Sequence, residues 1–180
     1  YVYIQWGIWL AGGVAVPLCN THPISEINYV LEDANCQLLL SEEFFQDVLE
    51  EAIIKPIYLK SITIEETHLL PLIQPEQRAL IIYTSGTTGK PKGVVSTHQN
   101  IESQIKMLVK AWEWKTTDKI LHVLPLHHIH GIINALCCAL YVGAEVHFLS
   151  KFEANKVWEW WQKKDFTIFM AVPTVYSRLI

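Results

Sequence analysis

Apolar residues recur along this 180-residue chain with a helical period in some segments and as short continuous runs in others. The periodic segments predict helices at Tyr1–Ala11, Pro23–Ala34, Asn100–Trp112, Gly131–Val142, Ala154–Lys163 and from Pro173 onward. The short runs predict strands at Val14–Leu18, Gln37–Ser41, Ala79–Tyr83, Lys119–Leu124, Glu145–Leu149 and Thr167–Val172. Because helices separate most of the strands, crossover connections are required. The pattern therefore predicts an α/β fold with a layered, mostly parallel sheet and flanking helices.

Particular residues indicate where helices begin and which faces they bury. Thr21 and Asn100 are expected to cap the second and third helices, and Pro173 suits the first turn of the last one. The apolar positions expected to face the core are Ile24, Ile27, Val30 and Leu31, then Ile101, Ile105, Leu108 and Val109, and finally Val157, Trp158 and Trp161. The sequence shows no linker, repeat or internal domain boundary.

The stretch from Tyr1 to Ser25 carries no charged residue and is also compatible with a membrane-spanning helix, which needs about 20 apolar residues. The Gly12-Gly13 pair and Pro17, followed by polar residues, interrupt it. A buried helix leading into a buried strand explains the glycine break better, so no membrane span is expected.

Composition indicates a globular protein. Hydrophobic residues make up 51% and charged residues 18%, which excludes a disordered chain, and a net charge of −4 disfavours a nucleic-acid binder. Residues 1–77 hold 2 basic and 11 acidic side chains, whereas residues 78–180 hold 12 and 7, so an anion would meet the second part more readily. The four cysteines fit no disulfide framework and are expected to be reduced thiols of an intracellular protein.

The strongest chemical signal is the run YTSGTTGKPKGV, from Tyr83 to Val94. Its glycines let the backbone turn and present N–H groups to an anion, and a side chain at Gly89 is expected to fill space that the backbone needs. Hydroxyls and lysines add the donors and the positive charge that a polyphosphate requires. A solvated linker is the alternative, but this run lies between two apolar segments. The candidate phosphate-binding residues are Thr84, Ser85, Gly86, Thr87, Thr88, Gly89, Lys90, Pro91 and Lys92.

The loop is neither a Walker A motif nor a dinucleotide fingerprint, because Gly86 and Gly89 are three positions apart and Lys90 precedes a proline. Residue for residue, it resembles the phosphate loop of the adenylate-forming enzymes, which include acyl-CoA synthetases, luciferases and peptide-synthetase adenylation domains. The resemblance implies that residues 1–180 are a fragment of the large N-terminal AMP-binding domain, without the mobile C-terminal domain. The chain begins without methionine and ends within an apolar pattern, which also predicts a fragment.

A second cluster is the run LPLHHIHG, from Leu124 to Gly131. If this segment is extended, His128 and His130 share a face. No metal site is expected, because three histidines alone lack further ligands. Structural roles are the alternative for His122 and His127. The resemblance places His128 at the border of the acyl pocket and the thioester half-reaction, and His130 and Thr174 are assigned to the same pocket.

Within the superfamily, the segments around these motifs resemble the malonate–CoA ligases, most closely their mitochondrial type. This implies that ATP and Mg²⁺ activate malonate or methylmalonate to an acyl-AMP with release of pyrophosphate, and that CoA then displaces AMP. It also implies a mitochondrial location, with the cytoplasm as the alternative. The second carboxylate of malonate needs a donor or a cation. His130 is a candidate donor, with support of the neighbouring turn as the alternative.

By the same resemblance, no catalytic residue lies within the chain. The adenine loop, the Mg²⁺ glutamate, the ribose-binding aspartate, the distal-carboxylate arginine and the adenylation lysine are all expected beyond Ile180, so the fragment alone is expected to be inactive. Two alternatives stay open: a ligase for a medium-chain fatty acid, and a degenerate module that binds nucleotide without chemistry.

Overall fold

The computed structural model describes residues 1–62, 69–85, 89–149 and 151–180, and it divides the chain into two compact units, Tyr1–His98 and Gln99–Ile180. Each unit contains strands accompanied by helices, which confirms the predicted α/β class. None of the helices in these described ranges is long and apolar enough to cross a membrane.

Among its described residues, the first unit contains two α-helices and two separate pairs of strands. The elements are α1 (Val2–Leu10), α2 (Ile24–Asp33), β1 (Leu39–Ser41), β2 (Pro56–Tyr58), β3 (Arg78–Thr84) and β4 (Lys92–Thr97), with short 3-10 helices at Glu43–Phe45, Asp47–Leu49 and Leu59–Ser61. Strands β1 and β2 run parallel, whereas β3 and β4 form an antiparallel hairpin. Part of the core is an apolar cluster of Ile27, Leu31, Leu39 and Leu49.

The beginning of the chain departs from the predicted buried helix and strand. Helix α1 forms as predicted, but its buried residue is Gln5, and the Tyr3 side chain is 93% exposed. The predicted strand Val14–Leu18 is reduced to a single parallel bridge between Ala15 and Leu80. Pro17 has no N–H to donate, which limits a continuing ladder.

The predicted caps of two helices are wrong. Helix α2 begins after Pro23 instead of being capped by Thr21, whose hydroxyl is hydrogen-bonded to the Cys19 thiol at 3.1 Å. The third helix, α3 (His98–Ala111), begins two residues before Asn100, which lies within its first turn. On the predicted faces, Ile24, Leu108 and Val109 are only half-buried.

The second unit is built on a three-stranded parallel sheet of order β6–β5–β7. After α3 come β5 (Lys119–His122), a π-helix (His130–Cys137), α4 (Cys138–Val142), β6 (Glu145–Phe148), α5 (Ala154–Lys163), β7 (Ile168–Met170) and α6 (Pro173–Tyr176). Each of these strands lies within its predicted segment. The sequence predicts one apolar helix over Gly131–Val142, and the structure resolves it into a π-helix and α4.

One predicted core aromatic faces outward in this unit. Val157 on α5 is buried, and Trp161 is half-buried, but Trp158 is half exposed and its indole N–H donates to the Leu179 carbonyl oxygen at 3.1 Å. This hydrogen bond satisfies the indole N–H while much of the ring stays in contact with solvent. All four cysteines lie in described ranges and none forms a disulfide; burial raises the pKa of Cys138 to about 11.

Candidate functional site

The hairpin of β3 and β4 presents the candidate phosphate loop. The antiparallel register places Thr84 opposite Lys92, and the loop between them joins the two strands. Ser85, Gly89, Lys90 and Lys92 are exposed and therefore accessible to an anion. Three further residues of the predicted loop, Gly86, Thr87 and Thr88, lie outside the described residues.

The backbone conformation of Gly89 favours glycine. Its φ angle is +101°, in the region that side chains disfavour. No heavy atom of the described residues lies within 4 Å of a Cβ built at this position, so the expected lack of space at Gly89 stays a prediction. Space is limiting at Gly93 instead, where a Cβ would lie 2.9 Å from the Ile81 side chain and 3.1 Å from the Tyr83 ring.

Helix α2 anchors the strands on either side of this loop. The Tyr29 hydroxyl donates to the Pro91 carbonyl oxygen at 3.0 Å, and the Lys90 ammonium lies 5.2 Å from the centre of the Tyr29 ring. One turn later on α2, Asp33 accepts a hydrogen bond of 2.6 Å from the Tyr83 hydroxyl. The two tyrosine rings meet edge to face. No local motif in the sequence indicates a role for Tyr29 or Asp33 at this loop.

The electrostatic environment further favours the protonated, donor form of both tyrosines. Burial is the main cause that raises the pKa of Tyr83, and the hydrogen bond and charge of Asp33 add to it. Burial and then Asp33 raise the pKa of Tyr29 as well. Both hydroxyls therefore remain protonated at neutral pH and serve as stable donors to their acceptors.

The histidine run belongs to the second unit and forms a turn. The backbone N–H of His128 donates to the Pro125 carbonyl oxygen, so this segment is not extended. The shared face that an extended segment would give His128 and His130 therefore does not apply. The rings of His127 and His128 are 4.2 Å apart, centre to centre. His128 is exposed and His130 is half-buried.

His122 is a buried structural residue, which is the alternative role that the sequence allowed for it. It is 2% exposed, and its Nε2 is hydrogen-bonded to the Gly131 carbonyl oxygen at 2.9 Å. Burial is the main cause that lowers the pKa of His122. The neutral ring therefore donates from Nε2 to this carbonyl.

Gly131 permits the tight turn that leads into the π-helix. A Cβ at this position would lie 2.3 Å from the Pro125 carbonyl oxygen, which is closer than any real contact. The first residue of that helix, His130, is hydrogen-bonded through Nδ1 to the Asn134 side-chain nitrogen at 3.2 Å. Gln104 on α3 in turn donates to the Asn134 amide oxygen at 2.6 Å. No local motif in the sequence indicates a role for Asn134 or Gln104.

Thr174 lies on α6, where its carbonyl accepts a hydrogen bond from Ser177 and its side chain is exposed. Its assignment to the acyl pocket stays a prediction. Within the described ranges, no three His, Cys, Asp or Glu side chains are grouped as metal ligands. The absence of a bound transition metal at the three clustered histidines likewise stays a prediction, to be checked by metal analysis of the purified protein.

Comparison with known proteins assigns the candidate phosphate loop and the histidine run to one family. A family model described as AMP-binding enzyme matches residues 1–180. The chain is 45% identical to the mitochondrial malonate–CoA ligase ACSF3 of Xenopus laevis and 43% identical to that of Homo sapiens, covering all of this chain and 34% of each relative. The ATP-bound crystal structure of MatB from Rhodopseudomonas palustris superposes with a TM-score of 0.84 at 27% identity, covering 98% of this chain and 37% of that one. The chain thus spans about a third of the length of the curated relatives it matches.

Proposed function

Because the chain belongs to the AMP-binding enzyme family, we propose that its protein activates a carboxylic acid with ATP and transfers the acyl group to CoA. In the first step, the acid's carboxylate attacks the α-phosphate of ATP, which gives an acyl-AMP and pyrophosphate. In the second step, the CoA thiol attacks the acyl carbon and AMP leaves. The relatives named malonate–CoA ligases support malonate, or its methyl derivative, as the acid.

The observation that carries the proposal is the loop between β3 and β4. Lys90 and Lys92 supply positive charge, and Thr84 and Ser85 supply hydroxyl donors, at the loop end of an anchored hairpin. Gly86, Thr87 and Thr88 are proposed to complete this set. Negative charge gathers on phosphoryl oxygens as the acid attacks, so donors held in place beforehand stabilise that transition state more than mobile ones would. Mg²⁺ bound to ATP would add to this stabilisation.

The acyl pocket is proposed to include His128, His130 and Thr174. A dicarboxylic acid retains a negative charge at its distal end after the first carboxylate has reacted. Burying that charge without a partner is costly, so the pocket needs a hydrogen-bond donor or a cation there. His130 is half-buried and carries ring nitrogens that can donate, which makes it the candidate within this chain.

The chain is proposed to be part of the N-terminal AMP-binding domain. The groups that bind adenine, ribose and Mg²⁺, and the adenylation lysine, are then supplied by residues after Ile180. A mitochondrial location is proposed because the relatives named above are mitochondrial enzymes.

Acid-dependent exchange of pyrophosphate into ATP by the full-length protein tests the proposal. Malonate, methylmalonate, acetate and octanoate should be compared at equal concentrations. We expect exchange with malonate and methylmalonate that greatly exceeds exchange with the other two. Octanoate as the best acid would indicate a medium-chain ligase instead. Retention of ATP binding without exchange for any acid would indicate a module that binds nucleotide without catalysis.

A further inference from the structure

Three polar side chains in the second unit form a chain of hydrogen bonds that ends on His130. Gln104 lies on α3, Asn134 lies on the π-helix, and His130 is the first residue of that helix. The Gln104 side-chain nitrogen is 2.6 Å from the Asn134 side-chain oxygen, and the Asn134 side-chain nitrogen is 3.2 Å from His130 Nδ1. All three groups are uncharged hydrogen-bonding partners when the histidine is neutral.

The direction of the first hydrogen bond dictates the direction of the second. A side-chain amide donates only from its nitrogen and accepts only at its oxygen. Because the Asn134 oxygen accepts from Gln104, the Asn134 nitrogen is the atom that faces His130 and must donate to it. Nδ1 of His130 is therefore the acceptor, and the proton of the neutral ring lies on Nε2.

The backbone around His130 is held as well as its ring. The adjacent residue, Gly131, packs so closely on the Pro125 carbonyl that no side chain fits there. The Gly131 carbonyl oxygen also accepts the hydrogen bond from buried His122. Since backbone, ring and tautomer are all determined by these contacts, Nε2–H of His130 is a preorganised donor.

We propose that Asn134, oriented by Gln104, is a positioning residue that holds His130 as the Nε2–H tautomer and so makes it the donor to the distal carboxylate of a dicarboxylic acid. This inference rests on the proposed function. A site built to donate to a substrate oxygen discriminates against acids that lack this oxygen, because they leave the donor unpaired. The relay thus determines substrate choice without touching the reacting carboxylate.

Replacement of Gln104 by Glu tests the relay, because glutamate has nearly the same shape but its carboxylate can only accept. The Asn134 amide must then turn its nitrogen toward position 104 and its oxygen toward His130, which moves the ring proton to Nδ1. Nε2 becomes an acceptor that faces the distal carboxylate. We expect kcat/KM of the full-length enzyme for malonate to fall by roughly 10-fold or more. We expect little change for isovalerate, in which two methyl groups replace the distal carboxylate oxygens.

Gln162→Glu is the matched control, because it adds the same charge at an exposed position of the same unit. It should leave both efficiencies unchanged. Equal losses for both acids in Gln104→Glu, or no loss for either, would overturn the relay.

A spectroscopic measurement separates the relay from the proposed function. The ¹⁵N shifts of the histidine rings, assigned with His130→Gln, should show the Nε2–H form in the natural protein and the Nδ1–H form in Gln104→Glu. An Nδ1–H form in the natural protein would overturn the relay whatever acid the enzyme uses. Absence of malonate activation together with the expected tautomers would overturn the proposed substrate and leave the positioning role standing.

Discussion

Tyr29 and Pro91 lie 62 positions apart in sequence and are joined by a hydrogen bond of 3.0 Å from the tyrosine hydroxyl to the proline carbonyl oxygen. The same ring lies against the Lys90 ammonium, so one side chain of α2 contacts both residues that lead from the loop into β4. Asp33 holds the other strand through Tyr83. These contacts hold the residues on both sides of the candidate phosphate loop, which would reduce the ordering cost of binding the ATP of the proposed function.

Tyr29→Phe should weaken ATP binding because it removes the hydrogen bond to Pro91 and keeps the ring next to Lys90. A neutral hydrogen bond contributes about 0.5–1.5 kcal/mol, so the KM for ATP in pyrophosphate exchange should rise roughly 2- to 12-fold. Tyr3→Phe is the control, since Tyr3 is almost fully exposed. An unchanged KM for ATP in a folded Tyr29→Phe enzyme would show that the anchor is not needed for nucleotide binding.

Lys92→Ala should slow the ATP half-reaction because it removes a cation from the end of the hairpin. A hydrogen bond to a charged group contributes about 1.5–3 kcal/mol, which corresponds to a loss of roughly 10- to 150-fold. Gly89→Val should also slow exchange, because its φ of +101° is unfavourable for a β-branched residue. Lys55→Ala removes an exposed lysine elsewhere in the same unit and should behave like the natural enzyme. Normal exchange in both loop variants would refute the phosphate-binding assignment.

Local patterns were sufficient to predict most elements, whereas contacts distant in sequence were not predictable. The apolar run at Ala79–Tyr83 predicted β3, but nothing local indicated that β4 would pair with it antiparallel. Pro17 interrupts an apolar run that otherwise looks like a strand. A π-helix has the same apolar character as an α-helix, so the wider turn at His130–Cys137 leaves no signature in the pattern.

The same distinction applies to the candidate site. Glycine, hydroxyl and lysine content identifies the candidate phosphate loop, because the residue types that suit anion binding are consecutive in the sequence there. Tyr29 is separated from the loop by 62 positions and Gln104 from Asn134 by 30, so these partners become visible only when the fold brings them together. In the helical pattern of the sequence, Tyr29, Gln104 and Asn134 each look like an ordinary residue at the edge of a buried face.

His130→Leu should reduce the efficiency for malonate more than that for a monocarboxylic acid of similar length. If the imidazole donates to the distal carboxylate, its loss leaves a buried charge without this partner, at a cost on the order of 2–3 kcal/mol, or roughly 30- to 150-fold. Steady-state kcat/KM for both acids measures the ratio. An equal decrease for both acids would show that His130 supports the turn and that diacid recognition depends on residues after Ile180.

Gly131→Ala should destabilise the protein because the new methyl group would lie 2.3 Å from the Pro125 carbonyl oxygen. Overpacking of this kind costs about 1–3 kcal/mol, which a lower urea midpoint would report. Gly7→Ala on α1 is the matched comparison, since no heavy atom of the described residues lies within 4 Å of its Cβ. There, alanine should stabilise the helix by up to about 1 kcal/mol. Equal midpoints for the two variants would contradict the close approach at Gly131.

His122 should make the stability of the protein depend on pH in the weakly acidic range. Burial lowers the pKa of His122 in the folded state below its usual value of about 6.5, and the nearby His130 adds to this lowering. Above that pH the ring is neutral in both states, and its contribution to stability is complete. As the pH falls below about 6.5, the unfolded chain binds a proton that the folded protein does not, so the free energy of unfolding decreases.

Urea unfolding of the full-length protein between pH 7.5 and 5.5 measures this effect against His122→Gln. The glutamine amide can still donate to the Gly131 carbonyl oxygen but does not titrate, so subtracting its curve removes the contributions of the other histidines. The stability advantage of the natural protein over the variant should shrink as the pH falls, by at most about 1.4 kcal/mol per pH unit for one proton. Parallel curves would mean that His122 has the same proton affinity in both states. The buried hydrogen bond to Gly131 would then hold a ring that can also be charged.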